Sequence, residues 1–385
     1  MSNTPFTPAE VFPPGEFIRD ELEARGWSQQ DLAEILGRPP RLVSELIGGK
    51  RTVTPETAKG LAQAFGTSAE VWLNLESSYQ LSKIKAGPDD VARRARLYDK
   101  VPVNDLIRRG WIHRSGSIEA LEQEVCRFLE IEALDEQPRF LAAARKSAAS
   151  EGWSAAQVAW LARVRQLAGS MSVPAYSKAG LASALRELRG LLAEAGGVEK
   201  APRILERAGI RCVIVEALTG TKVDGACLWL DGKSPVIGLS FRYDRIDWFW
   251  FTLLHELGHV KHEDGRKDGP VLDVDLVGTG ARTSADKSKV EQRADRFATE
   301  FLLDQRDLNL FVAESGDSYS TAEIVGYAER HKVHAGIVVG QLQHRKLVPY
   351  SHFRGHLEKV RERVTSASKT DGWGVLHTGK SGSRG

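Results

Sequence analysis

Five residues, His255-Glu256-Leu257-Gly258-His259, constrain this chain more than any other stretch; they sit inside the apolar run Phe249 to Val260. On a helix, residues four apart share a face, so His255 and His259 can offer two imidazoles to one zinc ion. Glu256, one position along, can then take a proton from water at the metal. The spacing predicts a helix here: Asp244 or Asp247 can cap its start, Ile246, Trp250, Leu253, Leu254 and Leu257 form an apolar stripe, and Glu263-Asp264-Gly265 supplies a closing turn.

A catalytic zinc site needs a third protein ligand and one open position. The segment Val290 to Leu302 carries a second helical apolar face, Val290, Ala294, Phe297, Ala298 and Phe301, with Glu291 and Asp295 one turn apart along its border. Glu291 is the expected third ligand. Asp295 then falls where a carboxylate accepts the second N–H of a ligand histidine. Two alternatives compete. Ser288 and Glu291 also spell a capping box, and His262 lies one turn after His259, although adjacent turns of one helix rarely give three ligands to a tetrahedral ion.

These paired motifs, His255-Glu256-Leu257-Gly258-His259 and Glu291-x-x-Ala294-Asp295-x-Phe297-Ala298, resemble the ImmA/IrrE family of metallo-endopeptidases. The similarity extends from Gly220-Thr221-Lys222-Val223-Asp224-Gly225-Ala226 to His334-Ala335-Gly336-Ile337-Val338-Val339-Gly340, about residues 200 to 350. It implies an α+β zincin-like domain that uses zinc to cleave a regulatory protein, a partner or the chain itself. One departure is Asp295, where the family has an asparagine-like side chain; the hydrogen-bonding role survives with an added negative charge. For the oxyanion that peptide hydrolysis creates, Tyr243 and His334 are the candidate donors by residue type.

The amino-terminal region reads as five helices. Phe17 to Ala24 follows Pro13-Pro14-Gly15-Glu16, Ser28 caps a second helix that Gly37 breaks, Pro39 starts a third, Thr54 caps a fourth over Glu56 to Phe65, and a fifth carries Trp72 and Leu73. Gly37 to Arg51, Thr54 to Ala58 and Gly66 to Leu75 resemble the Xre-type helix-turn-helix, in its HigA antitoxin branch. That implies operator DNA as partner and a possible homodimer on paired half-sites. Residues 1 to 84 hold eight Lys and Arg against eleven Asp and Glu, a net of −3, which argues against indiscriminate phosphate binding. The positive charge is local: Arg38, Arg41, Lys50 and Arg51 surround the third helix. Gln29 is expected at a phosphate and Arg41 with Ser44 at base edges, while Pro39-Pro40 replaces polar base-reading positions and Glu45 faces the groove or its rim.

Elsewhere the sequence sets limits. The net charge of +2 excludes a strongly polyanion-seeking chain. Three cysteines, Cys126, Cys212 and Cys227, odd in number and flanked by apolar residues, favour reduced thiols and a cytoplasmic setting. The start lacks the features of a signal peptide, and no stretch is long enough to span a membrane. The whole reads as mainly α with a small β-sheet: a helix-turn-helix domain over 1–84, a helical linker over 85–200, a peptidase domain over 201–350 and an extension over 351–385. Within the peptidase domain, Ala226 to Ser240 predicts a hairpin around Asp231-Gly232, and Val236 to Ser240 is the expected edge strand for an extended substrate. Gly265 to Lys287 reads as a lid loop, and Ser366 to Thr370 and Gly379 to Gly385 as disordered tail. The expected function is a DNA-binding regulator with a zinc endopeptidase domain in a stress, mobile-element or defence response. The alternative is a non-catalytic HigA-like antitoxin or repressor whose metal is structural.

Overall fold

The computed structural model describes residues 11–84, 89–141, 152–278, 280, 287–316 and 318–372. Gly379 to Gly385, expected as tail, lie outside them. The chain divides into two compact units, Met1–Asp90 and Val91–Gly385.

The first unit is built from α1 (Pro14–Arg25), α2 (Gln29–Leu36), α3 (Pro40–Ile47), α4 (Pro55–Phe65) and α5 (Ala69–Lys83). Ser28 begins α2 by reciprocal capping: its hydroxyl accepts from the Asp31 amide while the Asp31 carboxylate accepts from the Ser28 amide at 2.7 Å. Gly37 ends the helix in the left-handed region, at φ 62°. Pro39 is the N-cap of α3 rather than its first residue; Pro40 occupies the first turn, where a missing N–H costs nothing. Val43, Leu46 and Ile47 of α3 are buried with Ile18, Leu32, Leu61, Phe65 and Trp72. Glu76 is nearly buried on α5, and its carboxylate accepts from the Val53 amide at 2.9 Å and the Gln80 side chain at 2.6 Å. Those hydrogen bonds pin the α3–α4 connection to α5.

The second unit is built on one sheet, whose described strands are β1 (Arg211–Ile214), β2 (Val223–Trp229), β3 (Pro235–Leu239), β4 (Val271–Val274) and β5 (Lys369–Thr370), in the order β4-β2-β3-β1-β5. β2 pairs antiparallel with β3 and β4; β1 runs parallel to β3 and β5. The expected hairpin forms, with the Asp231 carboxylate accepting from the Lys233 and Ser234 amides in its loop. β3, however, lies between β2 and β1 and offers no free edge, so the expected substrate strand is interior.

Around the sheet stand α6 (Asp90–Lys100), α7 (Val103–Arg108), α8 (Ile118–Leu129), α9 (Ala155–Gly169), α10 (Lys178–Arg189), α11 (Ala201–Arg207), α12 (Ile246–His262), α13 (Lys289–Leu302), α14 (Gln305–Ser315), α15 (Thr321–His331), α16 (Ala335–His344) and α17 (Arg361–Ala367). Strand alternation feeds two cores. Val213, Val215, Ala226, Leu228 and Val236 pack with Trp160, Leu161 and Val164 of α9 and with α6 and α8, whereas Cys212, Ile214, Cys227, Ile237 and Leu239 pack with α12 and the later helices. A sheet covered on both faces explains why its strands are almost continuously apolar. It also corrects the reading of 85–200 as a linker, because α6, α8 and α9 supply one whole side of the sheet's core. The carboxyl-terminal extension is likewise part of the unit. Ser366 to Thr370 is the end of α17 and strand β5, and the tail reading fails there because Val364 is fully buried and β5 completes the sheet beside β1.

Candidate metal centre

α12 is the buried spine of the second unit; from Ile246 to Val260 only Trp248 and Phe251 are not fully enclosed. Neither expected cap serves it. Asp244 accepts from the amides of Val360 and Arg361 at 2.7 and 2.8 Å, capping α17, and Asp247 sits in the first helical turn paired with Arg245 at 2.8 Å. Arg245 is the N-cap. The helix persists because tertiary burial on all sides outweighs a missing cap.

His255 and His259 face the same point from successive turns, their Nε2 atoms 3.0 Å apart. Glu291, at the start of α13, brings Oε2 to 3.2 Å from the first and 3.8 Å from the second. Asp273 of β4 adds Oδ2 at 3.5 and 3.6 Å. These four side chains offer ligand atoms all within 4.8 Å of one another. A tetrahedral zinc with bonds of about 2.05 Å would hold its ligand atoms about 3.3 Å apart. The observed separations bracket that value.

The far side of each imidazole is fixed. His255 Nδ1 lies 3.0 Å from Asp295 Oδ1, and Asp295 is itself paired with Lys287 at 2.7 Å. His259 Nδ1 lies 3.1 Å from Asp264 Oδ2, and Arg293 donates to the other Asp264 oxygen at 2.6 Å. A carboxylate within 3.1 Å of each Nδ1 orients the two rings and turns both Nε2 atoms inward. Burial opposes protonation of His255, yet Asp273, Asp295 and Glu291 together hold its pKa well above the usual value. Burial also pushes the Glu256 carboxyl well up, reinforced by the charge of Asp273. Two imidazoles and the carboxyl groups of Asp273 and Glu291 gathered at one point form a donor set suited to a cation. Both Glu256 oxygens and Asp273 Oδ2 are buried without a hydrogen-bond donor among the described residues, an arrangement that costs free energy unless such a cation is bound. The residues present fit zinc.

Glu256 is fully buried and packs against β2: a Cβ at Gly225 would lie 2.1 Å from its Oε1. Beside the centre, Trp248, Phe251, Ile337 and Tyr350, with the polar Asp247 and Gln341, line a cavity of mixed character, and the Phe251 ring stands 6.2 Å from that of His255.

Other expected residues have contacts of their own. His334 is the N-cap of α16: its Nδ1 accepts from the Gly336 amide and its Nε2 faces Glu358 at 3.2 Å, so its ring is committed to structure. Tyr243 packs on Trp248, ring centroids 4.2 Å apart, and under Arg242. His262 is exposed and outside the four-residue cluster. The Ser288 hydroxyl accepts from the Glu291 amide, so Glu291 is at once in a capped first turn and in the cluster. Asp264 and Asp273 are site residues that sequence reasoning does not find. Asp264 carries a usable signal, since it follows His259 in a turn that folds back on the helix; Asp273, in a Gly- and Asp-rich stretch, carries none. In the first unit, Gln29, Ser44 and Lys50 are exposed, Arg38 pairs with Glu56, and Glu45 holds Arg41 at 2.7 Å and Arg51 at 3.5 Å.

No helix among the described residues is long and apolar enough to cross a membrane. Residues 18–72 match the helix-turn-helix family model, and residues 205–343 match the M78 peptidase family model of the IrrE N-terminal-like domain. The chain is 33% identical over 84 residues to the HTH-type transcriptional regulator YddM of Escherichia coli K12, covering 22% of this chain and 88% of that one. It is 38% identical over 69 residues to virulence-associated protein I of Dichelobacter nodosus, 18% of this chain and 64% of the relative. Among solved structures, an addiction module antidote protein of the HigA family from Coxiella burnetii is 37% identical, covering 19% of this chain and 79% of that chain at a TM-score of 0.18. The chain belongs to the Xre-type helix-turn-helix transcriptional regulators and carries an ImmA/IrrE-like domain in its second unit.

Proposed function

We infer that the chain is a zinc-dependent endopeptidase joined to a DNA-binding regulator, with His255, His259 and Glu291 holding the metal. The carrying observation is the pair of Nε2 atoms 3.0 Å apart, each imidazole backed by a carboxylate, with Glu291 completing the third corner. Zinc in that position supplies a Lewis acid that acidifies water and polarises a carbonyl. Glu256, next to His255 on α12 and close to the centre, takes the proton of the attacking water and passes it to the leaving amine. Asp295 and Asp264 hold the imidazoles in register. The cavity at Phe251 and Tyr350, lined by both apolar and polar groups, receives a side chain of the protein substrate. α3 of the first unit enters the major groove, where Arg41 and Ser44 read bases, Arg38, Lys50, Arg51 and Gln29 hold phosphates, and a pair of chains spans two half-sites. The substrate is a regulatory protein, a partner or the chain itself.

A specific observation favours a second reading. Asp273 offers a fourth protein ligand, and four protein ligands mark a structural zinc in a non-catalytic regulator. Metal content by mass spectrometry, with cleavage of a peptide library, separates the two. The peptidase reading expects about one zinc per chain, lost in Glu291→Ala and kept in His262→Ala, and cleavage abolished in Glu256→Gln with zinc retained. Equal cleavage by Glu256→Gln and wild type would sink it.

A further inference from the structure

β4 is an unusual edge strand. Of its four residues the charged one, Asp273, is buried at 5% exposure, while Val271, Leu272 and Val274 are half-buried. A charge turned inward from an edge strand guards it against pairing, but it still needs a partner once buried. β4 instead buries an oxygen whose nearest polar neighbours include the two Nε2 atoms and which no donor among the described residues satisfies. The cost is offset if that oxygen is a ligand. The strand lies antiparallel along β2, in the way an extended peptide adds to a sheet. In its register Asp273 stands opposite Gly225, the β2 residue that abuts Glu256. The register breaks between Val223 and Gly225, the kind of irregularity that re-aims side chains near active sites.

The residues just beyond β4 anchor it. Asp275, at φ 50°, pairs with Arg242 at 2.9 Å and Lys222 at 3.3 Å, and the Asp224 carboxylate accepts from the Leu276 amide at 2.6 Å. These contacts fix the strand's end to β2, yet the strand itself is only four residues long.

Resting on the zinc reading above, we propose that Asp273 is the fourth metal ligand of the resting site and that β4 occupies the place of the substrate strand, so that the chain keeps its own centre closed. Separation of β4 from β2 frees one coordination position and the β2 edge together. A peptide in extended conformation competes for both, and no other change of the centre is needed. The same geometry reconciles four protein ligands with a peptidase motif: the site is structural when closed and catalytic when open.

The test uses the full-length chain loaded with Co2+, whose visible absorption reports coordination, titrated with acetohydroxamate as a small metal-seeking probe. Wild type is expected to bind the probe at least tenfold more weakly than Asp273→Ala, with Asp275→Asn between them. Asparagine tolerates the positive φ at 275, so this second variant loosens the anchor while sparing the cluster and keeps the test alive should Asp273→Ala fail to fold. Equal affinity in wild type and variants overturns the closure by Asp273. No probe binding in any of them also overturns it and leaves a structural metal. Cobalt uptake by Asp273→Ala that is indifferent to a further Glu291→Ala would instead remove the underlying three-ligand reading, a distinguishable failure.

Discussion

Gly225 shows how little room the centre leaves. A Cβ there would lie 2.1 Å from Glu256 Oε1, so alanine must push the carboxylate aside. Displacing a reacting group by about 1 Å costs on the order of 10²-fold in rate. Gly225→Ala is therefore expected to lose about that factor in peptide turnover while keeping its zinc, because the ligands stand on other residues; unchanged turnover would show that Glu256 has space. A neighbouring residue gives a pH dependence. Burial raises the Asp224 carboxyl from 3.8 to about 6, against the opposing pull of Arg242 and the Leu276 and Val277 amides and with a further push from Asp273. The folded state then binds more protons than the unfolded one between these values, so this group's contribution to stability falls as pH rises from about 4 to about 6. Asp224→Asn removes that slope. Unfolding at two pH values should find the variant gaining about 2 kcal/mol on wild type between pH 4.5 and pH 7; a constant difference would mean that Asp224 titrates normally.

Element packing decides whether ligands from separate helices converge. α12 carries the two histidines and α13 carries Glu291, and the helices meet where a Cβ on Gly258 would stand 3.1 Å from the Ala294 Cα. Gly258→Val must spread them, at about 1–3 kcal/mol for overpacking. The expected result is a lower melting temperature with a disproportionate loss of zinc affinity in chelator competition; lost stability with unchanged affinity would show that the ligand geometry tolerates the shift. Both helices are legible in the sequence because their stripes repeat at helical spacing and their chemistry sits at fixed offsets, which is how Glu291 and Asp295 can be named without coordinates. β4 is not, since four residues with a central aspartate between Gly- and Asp-rich flanks carry no period. The interior place of β3 is equally hidden. Strand order is set by pairing with β1, about 25 residues upstream, and nothing in the alternation of Val236 to Ser240 records it. β5 is only two residues long, and its identity comes entirely from its partner.

At the scale of the molecule, two units with no core in common imply two thermodynamic partners for two ligands. On the proposed assignment, metal at His255, His259 and Glu291 is expected to stabilise only the unit that contains them, by RT ln(1 + [L]/Kd), about 4 kcal/mol at a thousandfold excess over Kd. DNA on α3 is expected to stabilise only the other. Calorimetry of the full chain should show two transitions: EDTA lowers one, and an operator duplex raises the other. Arg41→Ala, which also frees Glu45 of its nearer partner, should weaken the duplex by about 1–3 kcal/mol and shrink the second shift while leaving the EDTA effect intact. Glu256→Gln should alter neither transition's response to its ligand. If EDTA and duplex moved both transitions together, the units would be coupled, and a signal at the metal centre would then have a direct route to the operator that separate cores do not provide.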